Sequence, residues 1–217
     1  MGIAEIISNQ LFIRSTFFFY GEAATATLSR QIAADIENHW NEPNAIAMLN
    51  RKVMRVIFDI REIYSPQLNP EEVYYNDNPQ NNYFRIEEFS NLHISFVDDV
   101  PGNTGYFKLD NLLNNSTTAA HEYGHTLGLK HPEILDIRGE GQPGIMYPRG
   151  TICDPHFQYD VNAVPLSDGG TLNPYKRKVL QKDIDALKLH RLSFDRSGKA
   201  ILGDFSSIWH EKHLPSA

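Results

Sequence analysis

Cysteine is almost absent from this chain: among 217 residues there is one, Cys153. No internal disulfide is available, so the fold cannot depend on one, and the composition suits a reducing compartment. Positive charge is also scarce. Lys and Arg number 20 against 27 Asp and Glu, a net of −7, which disfavours nucleic acid and anionic membrane surfaces as partners. No apolar run approaches the roughly 18 residues of a membrane-crossing helix. The N-terminus MGIAEIISNQLFIR carries Glu5 and has no Lys or Arg before Arg14. That is the wrong charge layout for a secretory signal, so a cytoplasmic or non-classically exported protein is expected. There is no internal repeat and no low-complexity tract. With 41% hydrophobic and 22% charged residues, the composition is that of a soluble globular protein, and the length suits a single domain over 1–217.

The apolar pattern gives a coarse element order. LFIRSTFFFY (11–20) is apolar on both parities, as in a strand covered on both faces. From Glu22 to Asn41, Leu28, Ile32, Ile36 and Trp40 recur every four residues, which predicts a helix. KVMRVIFDI (52–60) reads as a second strand, and the strand, helix, strand order predicts parallel pairing. Residues 65–82 hold three prolines and five asparagines and read as loop. YFRIEEF (83–89) and LHISFV (92–97) are short strand candidates, and YFKL (106–109) reads as an edge strand. Asn114, Asn115 and Ser116 suit an N-cap for a helix over about 117–129. Residues 132–174 read as irregular structure, 174–192 as a second amphipathic helix, and 193–217 as a tail.

The chemistry concentrates in HEYGHTLGLKH, His121 to His131. On a helix, His121 and His125 project from one face, and two imidazoles so placed can share one Zn²⁺. Glu122, beside the first of them, is placed to take a proton from an attacking water rather than to ligate. A catalytic zinc needs a third protein ligand. His131 is too far along to face the metal from a continuing helix, but Gly128 can adopt a positive φ and turn the chain back. With 14 glycines and 9 histidines in the chain, the two extra positions cut chance matches by a factor of about 400. His93, His156 and His190 read as structural or surface residues, and Cys153 as a plain loop or core thiol.

This stretch resembles the long zinc motif of the metzincin metalloproteases, and GIMYP (144–148) resembles their Met-turn. The resemblance is matrixin-like in IMYP and serralysin-like in the Pro132 that follows the third histidine, and it assigns no subfamily. It implies a metzincin-like α/β (α+β) fold: a twisted mixed sheet with an active-site helix in an upper subdomain of about 1–128. An irregular lower subdomain of about 129–192, with the C-terminal helix, would follow. It implies a zinc-dependent endopeptidase, with zinc held by His121, His125 and His131 and Glu122 as general base and acid. Met146 would lie beneath the histidines as a hydrophobic floor, and Tyr147 would be structural. The substrate, a peptide or protein, would pair with an edge strand, with Gly105, Tyr106 and Phe107 the first candidate and 93–97 the second. The specificity pocket would form around Pro148 to Cys153. Calcium is left open, with no EF-hand-like loop to indicate it. Two other readings stay open: a delivered effector with one protein target, and a zinc-binding protein without catalysis.

Overall fold

The first long strand organises the molecule. In this computed structural model, which describes residues 1–215, that strand is β2 (Gln10–Tyr20), preceded by β1 (Gly2–Ile7). Leu11, Ile13, Phe17 and Phe19 alternate into the main core and are fully buried. The opposite face is covered at its far end, where Phe18 and Tyr20 pack with Leu68, Val73, Tyr83 and Trp209. Cover on both faces explains the lack of a polar parity in the sequence.

β2 pairs in parallel with β4 (Lys52–Tyr64) along one edge. Its other edge is shared. Gln10–Arg14 pair antiparallel with β1, and Thr16–Tyr20 pair in parallel with β5 (Asn81–Glu87). β3 (Ile46–Leu49), β6 (Phe96–Val97) and β7 (Thr104–Lys108) complete the order β3-β4-β2-β5-β7-β6. β8 (Lys199–Leu202) joins through β1. The sheet is mixed and the protein is α/β, with few helices.

The helix α1 (Ala26–Asn41) starts four residues later than the periodicity predicts, because Gly21 turns at φ +101° and Thr25 provides the cap. The Thr25 hydroxyl accepts from the Leu28 N–H at 3.1 Å. Leu28, Ile32, Ile36 and Trp40 form its buried stripe. The stretch read as loop contains a single helical turn, α2 (Pro70–Tyr74), closed by a reciprocal Asn69–Glu72 capping box.

Three expectations are corrected. Residues 106–109 are not an edge strand: β7 lies between β5 and β6, hydrogen-bonded on both sides. The edge is β6, the last two residues of the LHISFV segment. The predicted helix over 174–192 is broken into short pieces, with α4 (Gln181–Ala186) its one α-helical turn and a half. The backbone before it is extended, with Lys178 N–H donating to Pro143 O at 3.0 Å. The Asp183 carboxylate caps α4 by accepting from Leu180 N at 2.8 Å, and Lys188 ends it at φ +51°. The region read as a tail is also structured. β8 belongs to the sheet, and Ser206 accepts from the N–H groups of Asn103 and Thr104, both at 3.1 Å. Residues 216–217 of that tail lie outside the described residues. Among the described residues, no helix is long and apolar enough to cross a membrane.

Candidate metal centre

Every residue of α3 (Thr118–Thr126) is buried, so the helix is held on all sides. Its inner face is fixed by aromatic packing. Tyr123 sits edge-on to Phe17, Trp40 and Phe58 at 5.7, 5.5 and 6.2 Å, and its hydroxyl meets Ser15 Oγ at 2.9 Å. Trp40 Nε1–H donates to Ala120 O at 3.0 Å. With that face locked to α1 and the sheet, the residues at the other helical positions, Thr118, His121, Glu122 and His125, line a cleft of about 690 Å³.

The helix ends where His131 needs it to end. Gly128 adopts φ +100°, a conformation glycine takes at no steric cost. Gly128 N–H donates to His125 O at 2.9 Å, and Leu129 N–H to Gly124 O at 3.0 Å. The reversed chain carries His131 back to the helix. Its Nε2 lies 3.0 Å from His121 Nε2 and 3.2 Å from His125 Nε2.

The other ring nitrogens face carbonyls. His125 Nδ1–H donates to Leu129 O and His121 Nδ1–H to Ile145 O, both at 2.7 Å. A carbonyl can only accept, so it fixes the proton on Nδ1 and leaves the Nε2 lone pair free. Arg177 Nη1 also lies 2.9 Å from His121 Nδ1. Both atoms are donors in that tautomer, and Nη1 finds its acceptor in Tyr147 O at 3.0 Å. Three Nε2 lone pairs therefore converge. A tetrahedral ion with Zn–N bonds of about 2.0–2.1 Å separates its ligand nitrogens by about 3.3 Å, so the donor set and its spacing fit zinc. Among the described residues, His121, His125 and His131 form the one His, Cys, Asp or Glu cluster with metal-binding geometry. His93, His156 and His190 stand outside it.

Burial favours the neutral form of these rings, least for His131, which is exposed. His121 titrates well below the usual histidine range, through burial first and the Arg177 charge second. Burial brings His125 to about 4 and also lowers His131. Glu122 is pushed up to about 8 by burial, with the Arg177 charge pulling the other way. Arg177 itself is lowered to about 10 by burial, with Glu122 opposing that shift.

Met146 is buried and packs on α3 between the two helical histidines. A Cβ on Gly124 would fall 2.3 Å from Met146 Sδ, so the glycine between the two helical histidines is what admits the sulfur. Tyr147 turns away into a satellite core with Ile137, Cys153 and Leu172. Burial there raises the Cys153 thiol to about 11. Pro148 lines the cleft. Gly105, Tyr106 and Phe107 do not: they are buried within β7. The cleft wall is instead Ile94 to Val97, which includes the edge strand β6. Gly124 and Arg177 are absent from the sequence reading. A mid-helix glycine, which costs about 1 kcal/mol against alanine, was the available signal for the first. Arg177 in PYKRK carries no signal that separates it from a solvated basic run.

No family model matches this chain, and no curated protein matches it. Similar solved structures include archaemetzincin from Methanopyrus kandleri, 12% identical with a TM-score of 0.41, over 82% of this chain and 95% of that one. A zinc-dependent peptidase from Methanocorpusculum labreanum (strain Z) is 11% identical with a TM-score of 0.43, over 80% of this chain and 100% of that one. Myroilysin is 16% identical with a TM-score of 0.31, over 62% and 57%.

Proposed function

We propose that this chain is a zinc-dependent peptidase of the metzincin type, hydrolysing internal peptide bonds. The observation that carries the reading is the convergence of three Nε2 atoms at the floor of a cleft that Glu122 also lines. When bound, zinc supplies a Lewis acid that polarises a peptide carbonyl and makes water easier to deprotonate.

The protein's own groups do the rest. His121, His125 and His131 hold the ion, with the Ile145 and Leu129 carbonyls keeping the first two rings in the ligating tautomer. Glu122 takes the proton from the attacking water and returns it to the leaving amine. Among the described residues β6 pairs with β7 on one side only, so its other edge can accept a peptide as an added antiparallel strand across the cleft. Met146 supports the helix between the ligands, and Pro148 closes the far wall.

Glu122→Gln tests the assignment. It removes the base while keeping the side-chain shape, so zinc content should stay at one per chain and hydrolysis should fall by about 10²–10⁴. His125→Ala should lose the metal in elemental analysis. A Glu122→Gln protein that cleaves a peptide library as fast as the parent would remove Glu122 from its role. Stoichiometric zinc with no cleavage of any peptide by the parent protein would favour the non-catalytic reading.

A further inference from the structure

Arg177 is a cation in a place where cations are expensive. It is 5% exposed, and among the described residues no carboxylate forms an ion pair with it. A buried charge is tolerated when it is paired or hydrogen-bonded. Two of the three guanidinium nitrogens are anchored. Nε–H reaches Thr117 Oγ1 at 3.0 Å and Pro174 O at 3.3 Å, and Nη1–H donates to Tyr147 O at 3.0 Å. These contacts set the plane of the group rigidly. Nη2 has no partner among the described residues, and the side chain lines the same cleft as Glu122 and the histidines.

The rest of the cleft has the same sign. Lys130 and Arg149 line it with Arg177, and among the described residues Glu122 is the one carboxylate in its lining. The whole chain has a net charge of −7, so the cationic cleft is a local feature and not a reflection of composition. Arg177 also stands close to the reacting centre. Its Nη1 is 2.9 Å from His121 Nδ1, one imidazole ring away from the converging Nε2 atoms. Successive residues of an extended peptide advance about 3.3–3.6 Å, so a group on a residue flanking the bond at the metal centre falls within reach.

We infer that Arg177 is a specificity residue, and that the cleft takes substrates bearing a carboxylate next to the bond that is cut. This rests on the peptidase reading of the site and adds the substrate class to it. A guanidinium anchored through Nε and Nη1, with Nη2 left open to the cleft, presents a fixed positive charge, which a carboxylate neutralises and a neutral amide does not. The carboxylate comes from an Asp or Glu side chain or from the free C-terminus of the peptide. Lys130 and Arg149, both exposed, add long-range attraction that salt screens.

The test uses matched peptides with one change each: internal Asp against Asn, internal Glu against Gln, all C-terminally amidated, and a neutral peptide as free acid against amide. The parent protein should cleave the acid of at least one pair roughly ten- to a hundredfold faster in kcat/KM than its amide, as expected for a hydrogen bond to a charged group. The internal pairs and the terminal pair identify the source of the carboxylate. In Arg177→Gln the acid-to-amide ratio should collapse to about one, whatever the absolute rate. In Arg177→Lys, which keeps the charge without the planar fork, it should recover in part. Zinc content and melting temperature are measured for each variant, so that a ratio is read only from folded, metal-loaded protein.

Equal cleavage of acid and amide in all three pairs overturns the inference and leaves the peptidase reading intact. An acid preference that survives Arg177→Gln overturns the assignment to Arg177. If the parent cleaves nothing, the peptidase reading fails. Binding of the same labelled peptides to zinc-loaded Glu122→Gln, followed by fluorescence anisotropy, then decides the carboxylate site by itself. Tighter binding of the acid, lost in Glu122→Gln combined with Arg177→Gln, upholds it, and equal affinities reject it.

Discussion

Replacing Gly128 by alanine isolates the device that delivers the third histidine. Space is not the obstacle, since the new Cβ would meet Pro101 Cβ at 3.6 Å and Cγ at 3.9 Å, ordinary contacts. The obstacle is the backbone, held at φ +100°, where an L side chain costs about 1–3 kcal/mol. In the alanine variant, opening of the 128–131 turn would shed that strain at the cost of moving His131 away. With metal it must close to bring His131 Nε2 to the two helical nitrogens, 3.0 and 3.2 Å away. The strain therefore appears mainly as lost zinc affinity, about 5- to 150-fold for 1–3 kcal/mol. Gly141→Ala is the control. It also sits at positive φ, +78°, with nothing within 4 Å of a new Cβ, and it lies outside the cleft. Zinc Kd measured by chelator competition, with melting temperatures recorded in EDTA, separates the two effects. Gly128→Ala should weaken zinc, whereas Gly141→Ala should lower stability alone. Equal zinc affinity in both variants and the parent would mean that the turn does not position His131.

Other parts of the structure give sharper or simpler outcomes. Met146→Ala removes a buried side chain wedged against Gly124 and should cost about 2–5 kcal/mol in denaturant unfolding of the metal-free protein. A cost under about 1 kcal/mol would show that the floor is not tightly packed. Ser206→Ala strands the Asn103 and Thr104 N–H groups, on residues that are fully buried, and should cost about 1–3 kcal/mol in the same assay. Cys153 should resist thiol reagents at pH 8 in the folded protein and react on unfolding. Its thiol is raised from 9.0 to about 11 by burial, so between those values the unfolded chain loses the proton first. Stability should then fall as pH rises through that window, and Cys153→Ala should flatten that slope. A slope unchanged by Cys153→Ala would assign it to other groups.

The meeting of the three histidines was legible because they lie close together in sequence and obey one local geometry. His121, Glu122 and His125 share a helical face by spacing alone, and Gly128 marks where the chain must reverse. The first strand and the stripe Leu28, Ile32, Ile36 and Trp40 were legible for the same reason: burial on one element leaves a period on that element. The C-terminal helix was misread from that same kind of signal. Val179 and Ile184 are both buried, but they lie on either side of a break at which Lys178 pairs with Pro143 and Asp183 begins a new turn. A pattern of apolar positions does not record that the backbone between them has found a partner elsewhere.

The local sequence thus determined which side chains can meet around one ion: three imidazoles, a carboxylate beside the first, and a glycine before the third. Tertiary structure decided everything that depends on partners distant in the chain. Pairing across the sheet made β6 the open edge and enclosed β7. Packing from Trp40 and Tyr123 turned the histidine face of α3 to the cleft. The 56 residues that separate His121 from Arg177 in sequence close to 2.9 Å in space. Such contacts are set by loop closure and by the burial of whole surfaces, and no short-range spacing in the chain encodes them.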